Sequence, residues 1–184
     1  MFFVLFGGGV LNFSCFFPSK QYDKVYTAYY RSPVGLLRIS GTDQYISEIH
    51  FIDGSPAGTP ICLNPLLQRC VEQLMEYFQG LRRSFDLPVY QSGSEFQQRV
   101  WAELIGIPFG RTITYMDLSK RLGDPLAVRA VGAANGKNNI AIVLPCHRVI
   151  GAKNELVGYG GGLHRKRWLL EHENRIANGV QTLF

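Results

Sequence analysis

The sequence predicts an α+β protein: a small N-terminal sheet-plus-helix domain, then a mainly helical, winged-helix-like domain with a helix-turn-helix. Three observations predict it. Residues 26–51 hold three short β-branched and aromatic runs separated by turn residues. From Asn64 onward, apolar residues recur at helical spacing behind capping signals. Two short helical stretches then meet at Gly123-Asp124, in the half of the chain that carries all the excess positive charge. The 184 residues suffice for one large domain or two small ones. With 46% hydrophobic and 18% charged residues the composition is globular, which excludes disorder and collagen-like repeats.

The chain opens with MFFVLFGGGVLNFSCFF. This stretch is apolar but too short to span a bilayer. No Lys or Arg precedes the apolar run, and Gly7, Gly8 and Gly9 interrupt it, so it makes a poor signal peptide. Residues 1–24 are therefore read as an N-terminal extension, with no membrane attachment expected. Tyr26–Tyr30, Gly35–Ser40 and Tyr45–Phe51 read as strands, with Ser32-Pro33 and Gly41-Thr42-Asp43 as turns. Asp53–Pro60 is a Gly/Pro/Ser loop. Asn64 is an N-cap, Pro65 takes the first helical position, and Leu67, Cys70, Val71, Leu74, Met75 and Phe78 follow at helical spacing up to Gly80. These elements make a domain over residues 25–88 that carries no recognisable chemistry of its own and is read as a support. Val89–Gly93 reads as a linker.

The second domain spans residues 92–175. Ser94 with Gln97 forms a capping box, and Phe96, Val100, Trp101, Leu104 and Ile105 form one apolar face ended by Pro108-Phe109-Gly110. Thr114 with Asp117 caps a second helix that stops at Gly123. Asp124-Pro125 opens a third, from Leu126 to about Asn135. Ala127, Ala130, Gly132, Ala133 and Ala134 crowd that third helix, so its backbone can approach another surface closely. Residues 1–91 carry seven basic and seven acidic side chains, while residues 92–184 carry twelve basic and seven acidic. The basic half points to a polyanion, most simply nucleic acid. Cys15, Cys62, Cys70 and Cys146 lie far apart with no CxxC pair, which fits a reducing, intracellular compartment and neither a disulfide framework nor a zinc site.

Ile140–Leu144 is a continuous apolar run that should be buried. Pro145 ends it, and Cys146, His147 and Arg148 follow at once. A thiol at the end of a buried run, flanked by two potentially cationic groups, is a setting that lowers a thiol pKa and makes a nucleophile. In an extended stretch, neighbouring side chains point to opposite sides. Pairing Cys146 with His147 therefore needs a bend or a bridging water. The surroundings of the sulfur are expected to be close-packed.

Pro145-Cys146-His147-Arg148-Val149 closely resembles the active-site motif of O6-alkylguanine-DNA alkyltransferases, the methylated-DNA–protein-cysteine methyltransferases. The resemblance runs from about Ser92 to Glu173. It takes in Phe109-Gly110, Thr114-Tyr115, Arg129-Ala130-Val131-Gly132, Asn138, Gly158-Tyr159, Gly161-Gly162-Leu163, Trp168-Leu169-Leu170 and Glu173. It implies direct DNA repair, in which the alkyl group of O6-alkylguanine moves irreversibly to Cys146, once per molecule, after the base is flipped out of the duplex. On these residues it implies that His147 acts as base through a water and that Glu173 orients His147. Asn138 would brace the active-site turn. Tyr115 would crowd the target phosphate and help protonate the leaving guanine. Arg129 would enter the base stack. The helix-turn-helix would bind the minor groove, with Thr114, Tyr115, Arg129, Ala130 and Gly132 at the DNA, and Cys146, Val149, Tyr159 and Gly160 would form the guanine pocket. Gly160 stands where some members carry serine, which changes how the hydrogen bond to O6 is made.

The expected partner is double-stranded DNA containing O6-alkylguanine, bound by a monomer, with no cofactor and no metal. The compartment would be a bacterial cytoplasm or a eukaryotic nucleus. Three other activities compete. An alkyltransferase-like lesion binder would lack the cysteine, which is present here. A regulator of this family would carry a four-cysteine metal domain, which is absent. A cysteine hydrolase using Cys146 and His147 would turn over repeatedly on an acyl substrate without DNA.

Overall fold

A computed structural model describes residues 24–54 and 63–179. The N-terminal extension up to residue 23, most of the Asp53–Pro60 loop, Cys15 and Cys62 lie outside the described residues. Strands β1 (Tyr26–Ser32), β2 (Gly35–Gly41) and β3 (Ile46–Ile52) form an antiparallel sheet in the order β1-β2-β3. Their register runs from Tyr26 opposite Gly41 to Ser32 opposite Gly35, and from Leu36 opposite Ile52 to Gly41 opposite Ile46. Helix α1 (Pro65–Phe78) lies against this sheet. Its cap is the one the sequence predicts: Asn64 Oδ1 accepts from the Leu67 amide at 2.8 Å. Leu67, Cys70, Leu74 and Tyr77 meet Leu37, Ile39, Ile46 and Ile49 in the core. Full burial of such an aliphatic side chain contributes roughly 1.5–3 kcal/mol.

The Val89–Gly93 stretch is not a free linker. The Ile46 amide donates to Pro88 O at 2.9 Å, and the Tyr90 amide donates to Ile46 O at 3.0 Å. Further along β3, the Ile49 amide donates to Asn139 O at 2.8 Å, and the Ala141 amide donates to Ile49 O at 3.0 Å. The physical reason is the outer edge of β3, whose unpaired backbone groups need partners. The second domain supplies them, so one hydrophobic core runs through both parts.

Helix α2 (Glu95–Ile105) starts at the Ser94–Gln97 capping box and buries Val100, Trp101 and Leu104, whereas Ile105 faces solvent. Trp101 Nε1 donates to Ala134 O at 2.9 Å and ties α2 to the fourth helix. Strand β4 (Ile113–Thr114) leads into α3 (Tyr115–Arg121), capped by Thr114 and Asp117 as predicted. Helix α4 spans Val128–Gly136 and so begins two residues later than the sequence suggests. Asp124-Pro125-Leu126-Ala127 closes a turn instead, with the Ala127 amide on Asp124 O at 3.1 Å and the Leu126 amide on Asp124 Oδ1 at 2.9 Å. β5 (Val149–Ile150) pairs in parallel with β4. Helix α5 (Leu163–Asn178) closes the structure. From α5, Arg165 donates to Val34 O at 3.0 Å and to Gly161 O at 2.9 Å, and pairs with Asp53 at 2.6 Å. It thereby joins the first domain to the glycine-rich loop of residues 158–162. No helix among the described residues is long and apolar enough to cross a membrane.

Gly110 shows how tightly α5 is seated. Its φ is +71°, and a Cβ there would run into Ala177 Cβ and the Glu173 carbonyl. Gly110→Ala should destabilise the fold by about 1–3 kcal/mol, from strain and overpacking together. Urea unfolding followed by far-ultraviolet circular dichroism measures it, and an unchanged midpoint would show that α5 can shift to make room.

Candidate active site

The apolar run Ile140–Leu144 is buried at Ile140, Ile142 and Leu144 but folds as tight turns. Ile142 has φ +72°, an uncommon conformation for a β-branched residue. The Val143 amide donates to Ala141 O at 2.9 Å, and the Cys146 amide donates to Leu144 O at 2.8 Å. Asn138 staples this turn. Its Nδ2 donates to Leu144 O at 2.9 Å and reaches Cys146 Sγ at 3.1 Å, while its Oδ1 accepts from the Ile140 amide at 3.0 Å. Residues Cys146–Arg148 form one turn of 3₁₀ helix, which is the bend that the extended chain lacked.

That bend separates the thiol from the two residues beside it. His147 Nε2 lies 2.8 Å from Glu173 Oε1. Arg148 donates to both Glu173 oxygens at 2.9 Å. Tyr77 Oη donates to Oε1 at 2.8 Å, and the Gly110 amide donates to Oε2 at 3.0 Å. Burial alone would raise Glu173, but His147 and Arg148 hold it well below the usual carboxylate range. Burial lowers His147 against the pull of Glu173, so the imidazole is neutral. An ionised Glu173 accepts from Nε2–H, which leaves Nδ1 with its lone pair. Nδ1 is buried and has no hydrogen-bond partner in the protein.

The expectation that cationic neighbours activate the thiol is therefore corrected: both turn to Glu173. Burial holds the Cys146 thiol above its ordinary value. Asn138, Lys166 and the backbone amides of Cys146 and His147 oppose that rise. Lys166 is fully buried, with Nζ on Val149 O at 2.7 Å and Val157 O at 2.8 Å. Burial pushes it down to about 8.

Two cavities adjoin at Asn135, Gly136 and Gly158–Gly160. One, about 40 Å³, is lined by Cys146, Asn138, Ala141, Tyr159, His50 and Phe51 among others. The thiol surroundings are thus not filled: this space exceeds the roughly 10–15 Å³ that a single water needs. The other, about 510 Å³, opens between the helix-turn-helix and the glycine-rich loop, lined by Tyr115, Val128, Arg129, Gly132, Val157 and Tyr159. Tyr115 Oη donates to Val157 O at 3.2 Å across its mouth.

The structure therefore brings together Cys146, His147, Asn138, Glu173, Tyr115, Arg129, Gly132, Tyr159 and Gly160. Thr114 caps α3 and Ala130 is exposed on α4, and neither lines either of these two cavities. Val149 is buried behind the wall, its carbonyl taken by Lys166. Sequence reasoning missed the roles of Arg148, Lys166, Tyr77, Asn135, His50 and Phe51. It also cast the first domain as a mere support, whereas α1 supplies a donor to Glu173 and β3 supplies a cavity wall. A buried tyrosine hydroxyl implies a partner somewhere, but no spacing pairs Tyr77 with a residue 96 positions away. Among the described residues, no group of three His, Cys, Asp or Glu could hold a metal ion.

Comparison with known proteins gives matches over both parts of the chain. A family model described as 6-O-methylguanine DNA methyltransferase, DNA binding domain, matches residues 95–175. A second, 6-O-methylguanine DNA methyltransferase, ribonuclease-like domain, matches residues 25–91. A methylated-DNA–protein-cysteine methyltransferase of Mycolicibacterium paratuberculosis is 47% identical over 156 residues, covering 83% of this chain and 94% of the relative. The crystal structure of Mycobacterium tuberculosis O6-methylguanine methyltransferase is similar at a TM-score of 0.75 and 41% identity, over 85% of this chain and 97% of that one. A structure of the M. tuberculosis protein in complex with DNA matches at a TM-score of 0.74 and 41% identity, over 83% of this chain and 93% of that one.

Removing the Glu173 charge should be costly. Glu173→Gln leaves the Arg148 guanidinium buried without its counter-ion, so a loss of about 3–5 kcal/mol is expected in urea unfolding. The pH dependence has a definite sign. A carboxyl depressed in the folded state contributes stability that is present above its unfolded value and lost as pH falls through its folded value. The parent should therefore lose stability steadily below about pH 5, and Glu173→Gln should lose less over the same window. Parallel curves for the two proteins would mean that Glu173 titrates normally.

Proposed function

The chain belongs to the 6-O-methylguanine DNA methyltransferase family, and we propose that it repairs O6-alkylguanine in double-stranded DNA by moving the alkyl group onto Cys146. The observation that carries this reading is a buried thiol, hydrogen-bonded by Asn138, on a cavity that adjoins one walled by the helix-turn-helix. A nucleobase entering past Arg129 and Tyr115 brings its O6 substituent toward the sulfur.

His147 Nδ1 takes the thiol proton through a water, while Glu173 keeps the proton of the ring on Nε2. The thiolate attacks the alkyl carbon, an S–C bond forms and the C–O6 bond breaks. The electron pair stays on guanine, and Tyr115 helps deliver the proton that restores it. The thioether has no hydrolytic route among these side chains, so each molecule acts once. A base inside a duplex is out of reach, and flipping it costs a few kcal/mol. Arg129, exposed on α4, fills the place it leaves. The minor groove is only about 6 Å wide, and the small residues Ala130, Gly132 and Ala133 let α4 enter it. The protein acts as a monomer in a reducing compartment, where the acceptor stays a free thiol.

The decisive experiment exposes the protein to duplex DNA containing O6-methylguanine and weighs the Cys146 peptide. One methyl group per molecule on Cys146 is expected. Methyl on another residue, or repeated turnover, would overturn the reading. Cys146→Ala should abolish transfer while leaving DNA affinity nearly unchanged. Arg129→Ala should slow repair of duplex DNA far more than reaction with free O6-benzylguanine, which needs no flipping. Equal slowing of both would place Arg129 in the pocket or the fold instead.

A further inference from the structure

We infer that Gln91, from the segment that joins the two domains, is a positioning residue for alkyl transfer, orienting and polarising the Asn138 amide that faces the acceptor sulfur; this rests on Cys146 being the acceptor. Gln91 is buried, 6% exposed. Its two side-chain hydrogen bonds go to the active-site turn. Oε1 accepts from the Asn139 amide at 2.8 Å, and Nε2 donates to Asn138 Oδ1 at 3.1 Å.

The direction of this relay is forced. A backbone amide only donates, so the Asn139 N–H fixes Oε1 of Gln91 on its own side and turns Nε2 toward Asn138. Asn138 Oδ1 then receives two donors, Gln91 Nε2 and the Ile140 amide at 3.0 Å. Its Nδ2 has one orientation left, toward Leu144 O at 2.9 Å and Cys146 Sγ at 3.1 Å. Each hydrogen bond onto an amide oxygen strengthens the N–H at the other end of the group. The amide that faces the sulfur is thus a better donor to a thiolate than an isolated one.

The start of the relay is rigid. Gln98 of α2 donates to Gln91 O at 2.6 Å, and the neighbouring Tyr90 amide is held by Ile46 of β3 at 3.0 Å. The chain Gln91–Asn138–Cys146 therefore carries the geometry of β3 and α2 to the sulfur. It is separate from the Glu173 cluster, which touches neither amide.

The readout is the pH dependence of Cys146 alkylation by iodoacetamide, followed by mass. It needs no DNA, so it reads Gln91 whether or not methyl transfer occurs. The titratable groups around the sulfur are Lys166 of α5, Tyr115 of α3, Tyr159 of the glycine-rich loop, His147 of its own turn and His50 of β3, which lines the same cavity. None is altered. Gln91→Leu should move the alkylation midpoint toward alkaline pH by about half a unit or more. That corresponds to roughly threefold slower labelling near neutrality, with rates converging once the thiol is fully ionised. In an Asn138→Ala background, the same substitution should add no further shift. Gln91→Glu keeps the bond to the Asn139 amide but cannot donate to Asn138, so it should shift the midpoint at least as far as Gln91→Leu. If Gln91→Leu fails to fold, Gln91→Glu decides by the part of its shift that disappears in the Asn138→Ala background, because its added charge raises the thiol in either background. A profile that superimposes on the parent in a folded variant would overturn the inference, as would an equal shift in the Asn138→Ala background. Failure of the parent to take a methyl group from DNA would overturn the assignment of Cys146 as acceptor, a separate result.

Discussion

A single buried carboxylate organises this molecule. Glu173 is fully enclosed in α5 and accepts five hydrogen bonds, from Tyr77, Gly110, His147 and twice from Arg148. Desolvating a carboxylate costs several kcal/mol, and only a charged partner with good geometry offsets it. Arg148 provides that partner, and its own Nη1 donates to Ile107 O at 2.6 Å. The donors come from α1, the turn after α2 and the 3₁₀ turn, so the cluster fixes three chain segments against α5. Two of those donors follow Cys146 directly in sequence, and the cluster therefore also sets where the thiol can sit.

The sulfur itself is held by different physics. Neutral amides face it, and the buried cation nearest to it, Lys166, spends its hydrogen bonds on the carbonyls of Val149 and Val157. In the free protein, burial keeps the thiol protonated more than an exposed cysteine would be. Such a group is quiet toward stray electrophiles. This suits a protein whose acceptor is consumed by one reaction.

The first domain is part of the site. Its sheet edge is completed by backbone from Pro88–Tyr90 and Asn139–Ala141, its helix sends Tyr77 to Glu173, and His50 and Phe51 wall the small cavity. Arg165 fastens the same domain to the glycine-rich loop through Val34, Asp53 and Gly161. The small cavity beside the thiol is thus bounded by both halves of the chain.

Local signals were legible because they act over a few residues. The N-cap at Asn64, the capping boxes at Ser94 and Thr114 and the stop at Gly80 needed only a side chain to reach a backbone amide nearby. The PCHRV string and its surrounding motifs likewise determined which thiol reacts and which family the second domain resembles. Long-range pairing is a different matter. That His147 and Arg148 turn away from Cys146 to Glu173, that Tyr77 joins them, and that Gln91 and Asn138 meet at the sulfur depends on how α1, α2 and α5 stack. Buried polar groups must find partners wherever the fold brings them, and no periodicity in the chain says which. Local patterning thus specifies most of the elements and the nucleophile, whereas the partners that hold the nucleophile and its charge emerge from packing, because desolvation and hydrogen-bond geometry exist only once distant segments are brought together.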